Sequence, residues 1–135
     1  MANTKSNHKK GAVLVVGAGV AGMQASLDLA SSGYLVHLLD KSPTIGGIMS
    51  QLDKTFPTND CAMCTISPKL VEVGRHLNID IHPNTEVASI QGEVGNFKVT
   101  VQSQPRYIDL DACTACGQCR QGGPATPRNE FNPGL

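Results

Sequence analysis

The stretch AVLVVGAGVAG, residues 12–22, decides the fold of this chain. Its first five residues are a continuous, mostly β-branched apolar run, which is typical of a parallel strand buried on both faces. Gly17, Gly19 and Gly22 follow at once in G-x-G-x-x-G spacing. The first glycine permits a tight turn, the second lets the backbone approach a pyrophosphate, and the third allows a helix to pack closely on the strand. The pattern predicts a dinucleotide-binding turn.

The residues after the glycines complete a βαβ unit. Residues 20–32 have the spacing of a helix that ends at Gly33. Residues 35–39, LVHLL, predict a second buried strand, and Asp40 ends it where a carboxylate can accept a hydrogen bond from a ribose hydroxyl. The crossover is expected to be right-handed. The helix face expected to be buried carries Ala21, Ala25 and Leu29.

The remainder predicts a loop, a helix and three short strands. Residues 42–67 are rich in Gly, Pro, Thr and Asp and are expected to be mostly loop with a short turn of helix. Ser67 and Pro68 predict the N-cap and first position of a helix over residues 69–75. The strands are expected at residues 79–81, 87–91 and 97–102. The last two should pair as an antiparallel hairpin, with the apolar residues Phe97, Val99 and Val101 on one face.

Composition excludes several classes of function. The formal net charge of the 135 residues is zero, which gives no reason to expect nucleic-acid binding. No apolar run approaches the roughly 18 residues that a transmembrane segment needs. The five cysteines fall in C-x-x-C and C-x-x-C-x-x-C spacing, which is typical of ligands or redox pairs rather than of a secreted disulfide framework. A reducing, cytoplasmic location is therefore expected.

The choice between FAD and NAD depends on residues after Asp40, because both cofactors use the same glycine pattern. Gly46 and Gly47 follow Lys41 closely, and many flavoproteins with two dinucleotide sites carry a glycine pair at this offset, beside the flavin-side phosphate. A merely flexible turn is the alternative. The residues predicted to bind the cofactor are Gly17, Gly19, Gly22, Asp40, Lys41, Gly46 and Gly47.

Cys61 and Cys64 form a C-x-x-C motif expected in the loop after the glycine pair. The two thiols could be a redox pair near the flavin. They could instead be ligands of an iron–sulfur cluster that other cysteines complete, or structural thiols in a tight loop. The residues leave all three open, and no other residue is assigned a catalytic role.

Cys113, Cys116 and Cys119 give the strongest metal signal, C-x-x-C-G-x-C followed by Pro124. The bacterial ferredoxin run is C-x₂-C-x₂-C-x₃-C-P, so Gly123 stands where the fourth thiolate belongs. Zinc is an alternative metal for three cysteines, but the trailing proline favours iron and sulfide. We predict that these three cysteines alone do not hold a stable 4Fe–4S cluster.

Several stretches closely resemble the A-subunit of CoB–CoM heterodisulfide reductase and its relatives in sulfate reducers. They are VLVVGAGVAGMQASLDLA (residues 13–30), IGG (45–47), QLDKTFPTNDCAMC (51–64), SPKLVEV (67–73), VGNFKV (94–99) and PRY (105–107). The resemblance extends from residue 11 to residue 119, and no match is expected from residue 125 onward.

The resemblance implies an iron–sulfur flavoprotein with a thioredoxin-reductase-like FAD domain and a ferredoxin-like insert. In that family FAD collects or splits electron pairs, and 4Fe–4S clusters pass single electrons to other subunits of the complex. It implies that the ADP part of FAD is held by Gly17, Gly19, Gly22 and Asp40. It also implies that Cys113, Cys116 and Cys119 begin the first cluster of the insert. The family is one of oxidoreductases in electron transport, and this chain is expected to be a truncated, inactive part.

The expected fold class is α/β, a Rossmann-like FAD-binding βαβ unit with a small antiparallel β insertion, ending at the start of a ferredoxin-like segment. Residues 11–110 are predicted to form a partial FAD/NAD(P)-binding domain and residues 111–124 an incomplete iron–sulfur motif. Residues 1–10 and 125–135 are expected to be disordered, and His37 is expected to be a packed histidine. The alternative function is a non-catalytic module that binds FAD or NAD, with cysteines that are vestigial or bind zinc.

Overall fold

The computed structural model describes residues 11–109 and 111–122. The chain divides into two compact units, one ending at Pro105 and one beginning at Arg106. The predicted arm at residues 1–10 and the predicted tail at residues 125–135 lie outside the described residues, as do Gly123 and Pro124.

The elements of the first unit, in chain order, are β1 (Ala12–Val16), α1 (Val20–Ser31), β2 (Leu35–Leu39), a 3₁₀ helix (Gly47–Gln51), β3 (Lys54–Thr55), β4 (Asp60–Cys61), α2 (Ala62–Arg75), β5 (Ile79–His82), β6 (Thr85–Glu93) and β7 (Asn96–Ser103). The second unit contains α3 (Gln118–Gly122). Strands β1, β2 and β5 form a parallel sheet in the order β1-β2-β5. Strands β3 and β4 pair antiparallel, and so do β6 and β7. The predicted α/β fold with its βαβ unit and antiparallel insertion is confirmed.

Helix α1 packs on the sheet through a different face from the one predicted. Its buried residues are Met23, Ser26, Leu27 and Ala30. Ala21 and Ala25 are exposed and Leu29 is half-buried, so the prediction for this face was wrong. The helix carries two apolar stripes, and the stripe with Met23 and Leu27 removes more apolar area from water than the alanine stripe does.

Helix α2 begins at Ala62 rather than at residue 69, because Cys61 caps it. The backbone N–H of Cys64 donates to Cys61 Sγ at 3.1 Å. Pro68 therefore lies inside the helix, and the hydroxyl of Ser67 donates to the Met63 carbonyl at 2.7 Å instead of capping. The predicted helix start was wrong, and so was the prediction that the C-x-x-C motif lies in a loop.

A buried stripe explains why α2 runs through its proline. Ala62, Ile66 and Val73 are buried and keep helical spacing across residue 68. A proline inside a helix removes one backbone hydrogen bond. Burial of this stripe against α1 and the sheet outweighs that loss. The core of the unit consists of Ala18, Met23, Leu27, Ala30, Val36, Leu38, Ile66, Val73 and Ile79.

The opposite face of the sheet is not buried, contrary to the prediction for β1. Val16 is 65% exposed. This face and the hairpin β6–β7 line an open cavity of about 1080 Å³. The predicted apolar face of the hairpin is confirmed, because Phe97, Val99 and Val101 all line this cavity.

His37 lies on the same open face and is only partly packed. Its side chain is 37% exposed. Its Nδ1 lies 3.2 Å from His82 Nε2 and 3.8 Å from Asp80 Oδ2. The expectation of a packed histidine is therefore met only in part, since the strand face on which it lies is open to solvent.

No helix within the described residues is long and apolar enough to cross a membrane.

Candidate dinucleotide site and cysteine segments

The glycine turn joins the carboxyl end of β1 to helix α1. Gly17 has φ of +99°, a conformation that glycine adopts readily and other residues rarely do. Its N–H donates to the Leu39 carbonyl at 2.7 Å, which ties the turn to the end of β2. Gly19 is the N-cap of α1 and has no side chain with which to satisfy the free N–H groups of the first turn.

The space in front of this turn is open. A Cβ added at Gly17 or at Gly19 would meet nothing within 4 Å. The first turn of α1 contains no acidic residue. Free N–H groups at the positive end of a helix form a binding site for a phosphate, so the turn fits a pyrophosphate in both shape and charge.

Gly22 has a different function from the other two glycines. A Cβ at this position would overlap the carbonyl oxygen of Gly17. Its missing side chain therefore lets helix α1 lie directly against the turn, which is the packing that G-x-G-x-x-G spacing predicts.

The glycine pair lies against the glycine turn. Gly46 donates its N–H to the Ala18 carbonyl at 2.8 Å. A Cβ on Gly47 would lie 3.0 Å from the Gly19 Cα. Both glycines have positive φ, +114° at Gly46 and +59° at Gly47. The structure thus brings together two glycine segments that are separated in sequence, and it fixes their backbones side by side.

Asp40 follows β2 directly, and its carboxylate accepts hydrogen bonds that fix the glycine turn. Its Oδ2 accepts a hydrogen bond from the Ala18 N–H at 2.6 Å, and its Oδ1 accepts one from the Ser42 N–H at 2.8 Å. Burial raises the pKa of Asp40, but hydrogen bonds from the backbone N–H groups of Ser42 and Ala18 and from the Ser42 side chain lower it, and the pKa lies below its ordinary value. The nearby charge of Lys41, which is exposed, acts in the same direction.

Sequence reasoning missed the part that Ala18 and Ser42 play in this site. An aspartate side chain commonly bonds to the backbone N–H two residues later. The Asp40-x-Ser42 spacing was the available signal for one of the two bonds. The bond to Ala18 joins residues far apart in sequence, and no local pattern indicates it.

Cys61 and Cys64 lie at the start of α2, away from the other cysteines in sequence. The structure joins them as a disulfide with a Cα–Cα distance of 5.2 Å. Both residues are exposed.

Cys113, Cys116 and Cys119 are free thiols and all three are exposed. Hydrogen bonds from the backbone at Gln118 and from the side chain of Thr114 lower the pKa of Cys116, which favours the thiolate that a metal requires. The structure does not bring the three together. Within residues 11–109 and 111–122, no group of three histidine, cysteine or acidic residues is arranged to hold a metal ion.

These cysteines do not fit a complete 4Fe–4S site. Their thiols are the right donors, but they are three where the ferredoxin run supplies four, and they are not gathered around one point.

Comparison with known proteins assigns the fold to a family. The model of the NAD(P)-binding Rossmann-like domain matches residues 15–87, which include the glycine turn, Asp40 and the glycine pair. The chain belongs to the family of NAD(P)-binding Rossmann-like domains. The predicted dinucleotide-binding fold is thereby confirmed.

This Rossmann-like domain is similar in sequence to the A-subunit of heterodisulfide reductases. It is 50% identical to the first iron–sulfur A-subunit of CoB–CoM heterodisulfide reductase from Methanopyrus kandleri, over 98% of this chain and 20% of the relative. It is 50% identical to the A-subunit of the H₂:CoB–CoM heterodisulfide,ferredoxin reductase of Methanothermobacter marburgensis, over 90% of this chain and 18% of that one. The predicted resemblance is confirmed, and the chain spans about a fifth of the length of these relatives.

The similarity extends further than the sequence predicts. The alignment to the first of these relatives takes in 132 residues of the 135. It therefore includes most of the segment after residue 125, and the expectation of no match there was wrong.

Solved structures show the same fold. Thioredoxin reductase of T. acidophilum superposes with a TM-score of 0.55 at 25% identity, over 65% of this chain and 29% of that one. L-proline dehydrogenase of P. horikoshii superposes with a TM-score of 0.54 at 26% identity, over 68% of this chain and 19% of that one.

Proposed function

We propose that this Rossmann-like domain binds the ADP part of FAD and is part of an electron-transfer oxidoreductase similar to the A-subunit of heterodisulfide reductase. The observation that carries the proposal is the contact between the two glycine segments. Gly47 lies against Gly19, and Gly46 is bonded to Ala18, beside an open turn at a helix N-terminus. This arrangement provides bare backbone on two sides of the space where a pyrophosphate would lie.

Each residue of the site has a separate task. Gly17 and Gly19 leave room for the phosphates, and Gly22 brings α1 close enough for its N–H groups to bind them. Asp40 keeps the turn in place and retains acceptor capacity for a ribose hydroxyl, because an ionised carboxylate accepts about four hydrogen bonds. Lys41 adds positive charge beside it. Bound FAD supplies the redox chemistry, and the protein supplies binding and orientation.

The second cysteine segment belongs to the same proposal. Cys113, Cys116 and Cys119 would begin a ferredoxin-like segment at residues 111–124, after a nucleotide-binding part at residues 11–110. The cluster would need donors from elsewhere. Other subunits of a heterodisulfide reductase-like complex are the partners that the relatives' names suggest. Free thiols in ligand spacing favour a reducing, cytoplasmic setting.

Nucleotide titration of two matched variants tests this function. Gly19→Val and Gly74→Val add the same side chain in open space, but Gly74 lies near the end of α2, outside the proposed site. Isothermal titration calorimetry with ADP and FAD should show binding to the unmodified chain and to Gly74→Val. Affinity in Gly19→Val should fall at least about 100-fold, because its side chain occupies the pyrophosphate space.

Equal affinities in the two variants would place the nucleotide elsewhere. Binding of NAD with no binding of FAD would favour the alternative, a plain nicotinamide-nucleotide module.

A further inference from the structure

Two histidines lie next to each other on the open face of the parallel sheet. His37 is on β2, and His82 is on the neighbouring strand β5. His37 Nδ1 lies 3.2 Å from His82 Nε2. The ring centroids are 5.4 Å apart, which is close to the sum of that distance and the two ring radii. The two nitrogen atoms therefore lie between the rings and face each other.

The distance between these nitrogen atoms fits two ligands of one metal ion. Bonds from a metal ion to histidine nitrogen are about 2.0–2.1 Å long. Two nitrogens bound to one ion at that length are about 2.9 Å apart at a right angle and about 3.3 Å apart at the tetrahedral angle. The observed 3.2 Å lies between these values. A rotation of both rings then brings their lone pairs to one point beside the line that joins the nitrogens.

The backbone below both histidines is held by regular strand pairing. His37 lies opposite Asp80 in the parallel register, and Leu39 lies opposite His82. The carbonyl of His82 accepts the Asp40 N–H at 3.0 Å. Leu39 is buried in the same sheet. Because strand pairing already holds the two ligands together, binding an ion would order only their side chains, and preorganised ligands bind with a smaller loss of conformational freedom.

The surroundings of the pair favour a cation. Asp80 Oδ2 lies 3.8 Å from His37 Nδ1 and places a negative charge beside the facing nitrogens. Of the described residues that line the adjoining cavity, none is a lysine or an arginine. His82 is exposed and His37 is partly exposed, so an ion with water ligands can reach both rings. No group of three histidine, cysteine or acidic residues in the described ranges is arranged to hold a metal, and Asp80 therefore acts as a neighbouring charge rather than as a third ligand.

A hydrogen bond between the two histidines is the other interpretation of the short distance. It requires a proton on one of the two facing nitrogens. A metal ion requires both facing nitrogens to be bare, and each neutral ring meets this requirement when it carries its proton on its other nitrogen. The hydrogen bond and the metal site exclude each other, so a metal titration distinguishes them.

We propose that His37 and His82 together bind one divalent transition-metal ion of the class that prefers imidazole, such as Zn²⁺, Ni²⁺ or Cu²⁺. His37 Nδ1 and His82 Nε2 are the two protein ligands, and the remaining positions are left for water. The ion joins β2 to β5. Since a ligand that binds only the folded chain stabilises it, the bound ion raises the melting temperature. This site does not rest on the proposed nucleotide function.

Metal titration of a cysteine-free chain tests the site. All five cysteines of the full 135-residue chain are changed to serine, so that no thiol competes for the ion. Serine is a favourable N-cap residue, so Cys61→Ser keeps a cap on α2. The chain carries no histidine tag, and circular dichroism checks its fold. Isothermal titration calorimetry with NiCl₂ and ZnCl₂ should show one ion bound per chain, and the melting temperature should rise with the metal concentration.

Three variants with the same substitution locate the ion. In the cysteine-free chain, His37→Gln and His82→Gln each remove one ligand and should lower the affinity for Ni²⁺ at least about tenfold. His76→Gln is the matched control and should keep the affinity, because His76 follows α2 and its Nδ1 accepts the Asn78 N–H instead of facing the pair. No binding to the cysteine-free chain, or equal affinities in all three variants, would overturn the proposal.

A spectroscopic count of ligands does not depend on how well the variants fold. Pulsed electron paramagnetic resonance of Cu²⁺ bound to the cysteine-free chain resolves the number of coordinated imidazoles, because imidazole nitrogens couple to the copper spin. Two imidazoles are expected, and one in His37→Gln or His82→Gln. A spectrum with one imidazole or none in the chain that retains both histidines would show that the short distance is a hydrogen bond only.

Discussion

The carboxylate of Asp40 is expected to stabilise the first unit as well as to bind nucleotide. Asp40→Ala leaves the N–H groups of Ala18 and Ser42 without the acceptors that they have in the structure. A hydrogen bond to a charged group contributes about 1.5–3 kcal/mol. Since Asp40 is half-exposed, we take the lower value for each bond and expect a loss of about 3 kcal/mol in the free energy of unfolding. Asp40→Asn keeps one acceptor oxygen and should lose about 1.5 kcal/mol.

The lowered pKa of Asp40 determines how its contribution to stability changes with pH. The pKa of Asp40 is lowered in the folded chain, so its contribution is fully present above the pKa of an unfolded aspartate, about 3.9. The contribution is lost as the pH falls below that value and through the folded-state pKa. The unmodified chain should therefore lose more stability between about pH 5 and pH 3 than Asp40→Asn does.

Urea unfolding followed by circular dichroism at several pH values measures both effects. Asp28→Asn is the control, because Asp28 is exposed on α1 and its carboxylate accepts a surface hydrogen bond from the Gln24 side chain. This control should change stability by less than about 0.5 kcal/mol at neutral pH. If Asp40→Ala and Asp28→Asn unfold at the same urea concentration, the two backbone hydrogen bonds contribute nothing and the reasoning fails.

Three further predictions concern the core, helix α2 and the cysteine run. Leu27→Ala should lower the free energy of unfolding by about 2–4 kcal/mol, whereas Ala25→Ser, on the exposed side of α1, should change it little; similar urea midpoints for both would contradict the observed face. Pro68→Ala should raise the melting temperature, because it restores a helical N–H and removes about 3 kcal/mol of unfavourable helix propensity; a lower melting temperature would show that the proline ring stabilises α2. Gly123→Cys should increase the iron and sulfide retained after anaerobic reconstitution, since it supplies the fourth thiolate of the ferredoxin run; a stable four-iron content in both chains would show that another ligand completes the site.

The sequence predicts the backbone of the candidate nucleotide site well, because its signals are local. Strands β1 and β2 have the bounds that their apolar runs indicate, and the glycine spacing places the turn between β1 and α1. Each of these signals acts through neighbouring residues. The sequence also indicated Gly46 and Gly47 by their position after Asp40. Their contact with the glycine turn joins segments that are distant in sequence, so only the structure shows it.

The errors arose where tertiary packing competes with local preference. Ser67 and Pro68 have strong helix-start preferences, yet burial of Ile66 and capping by Cys61 start α2 earlier. The spacing in α1 allowed two apolar faces, and only the position of the sheet decides between them. The sequence also did not predict the exposed face of the sheet, because an apolar strand can be buried on one face or on both.

The order of strands in the parallel sheet has a consequence for handling the protein. Strand β1 lies at one edge of the sheet, and within the described residues its outer backbone groups pair with no further strand. Exposed β-branched edges are templates for strand addition between molecules. Val16 places an apolar side chain at such an edge, without a charged residue in β1 to oppose pairing. Preparations of the isolated chain should therefore be limited by slow, concentration-dependent association through β1, and a lysine introduced at Ala12 should delay it.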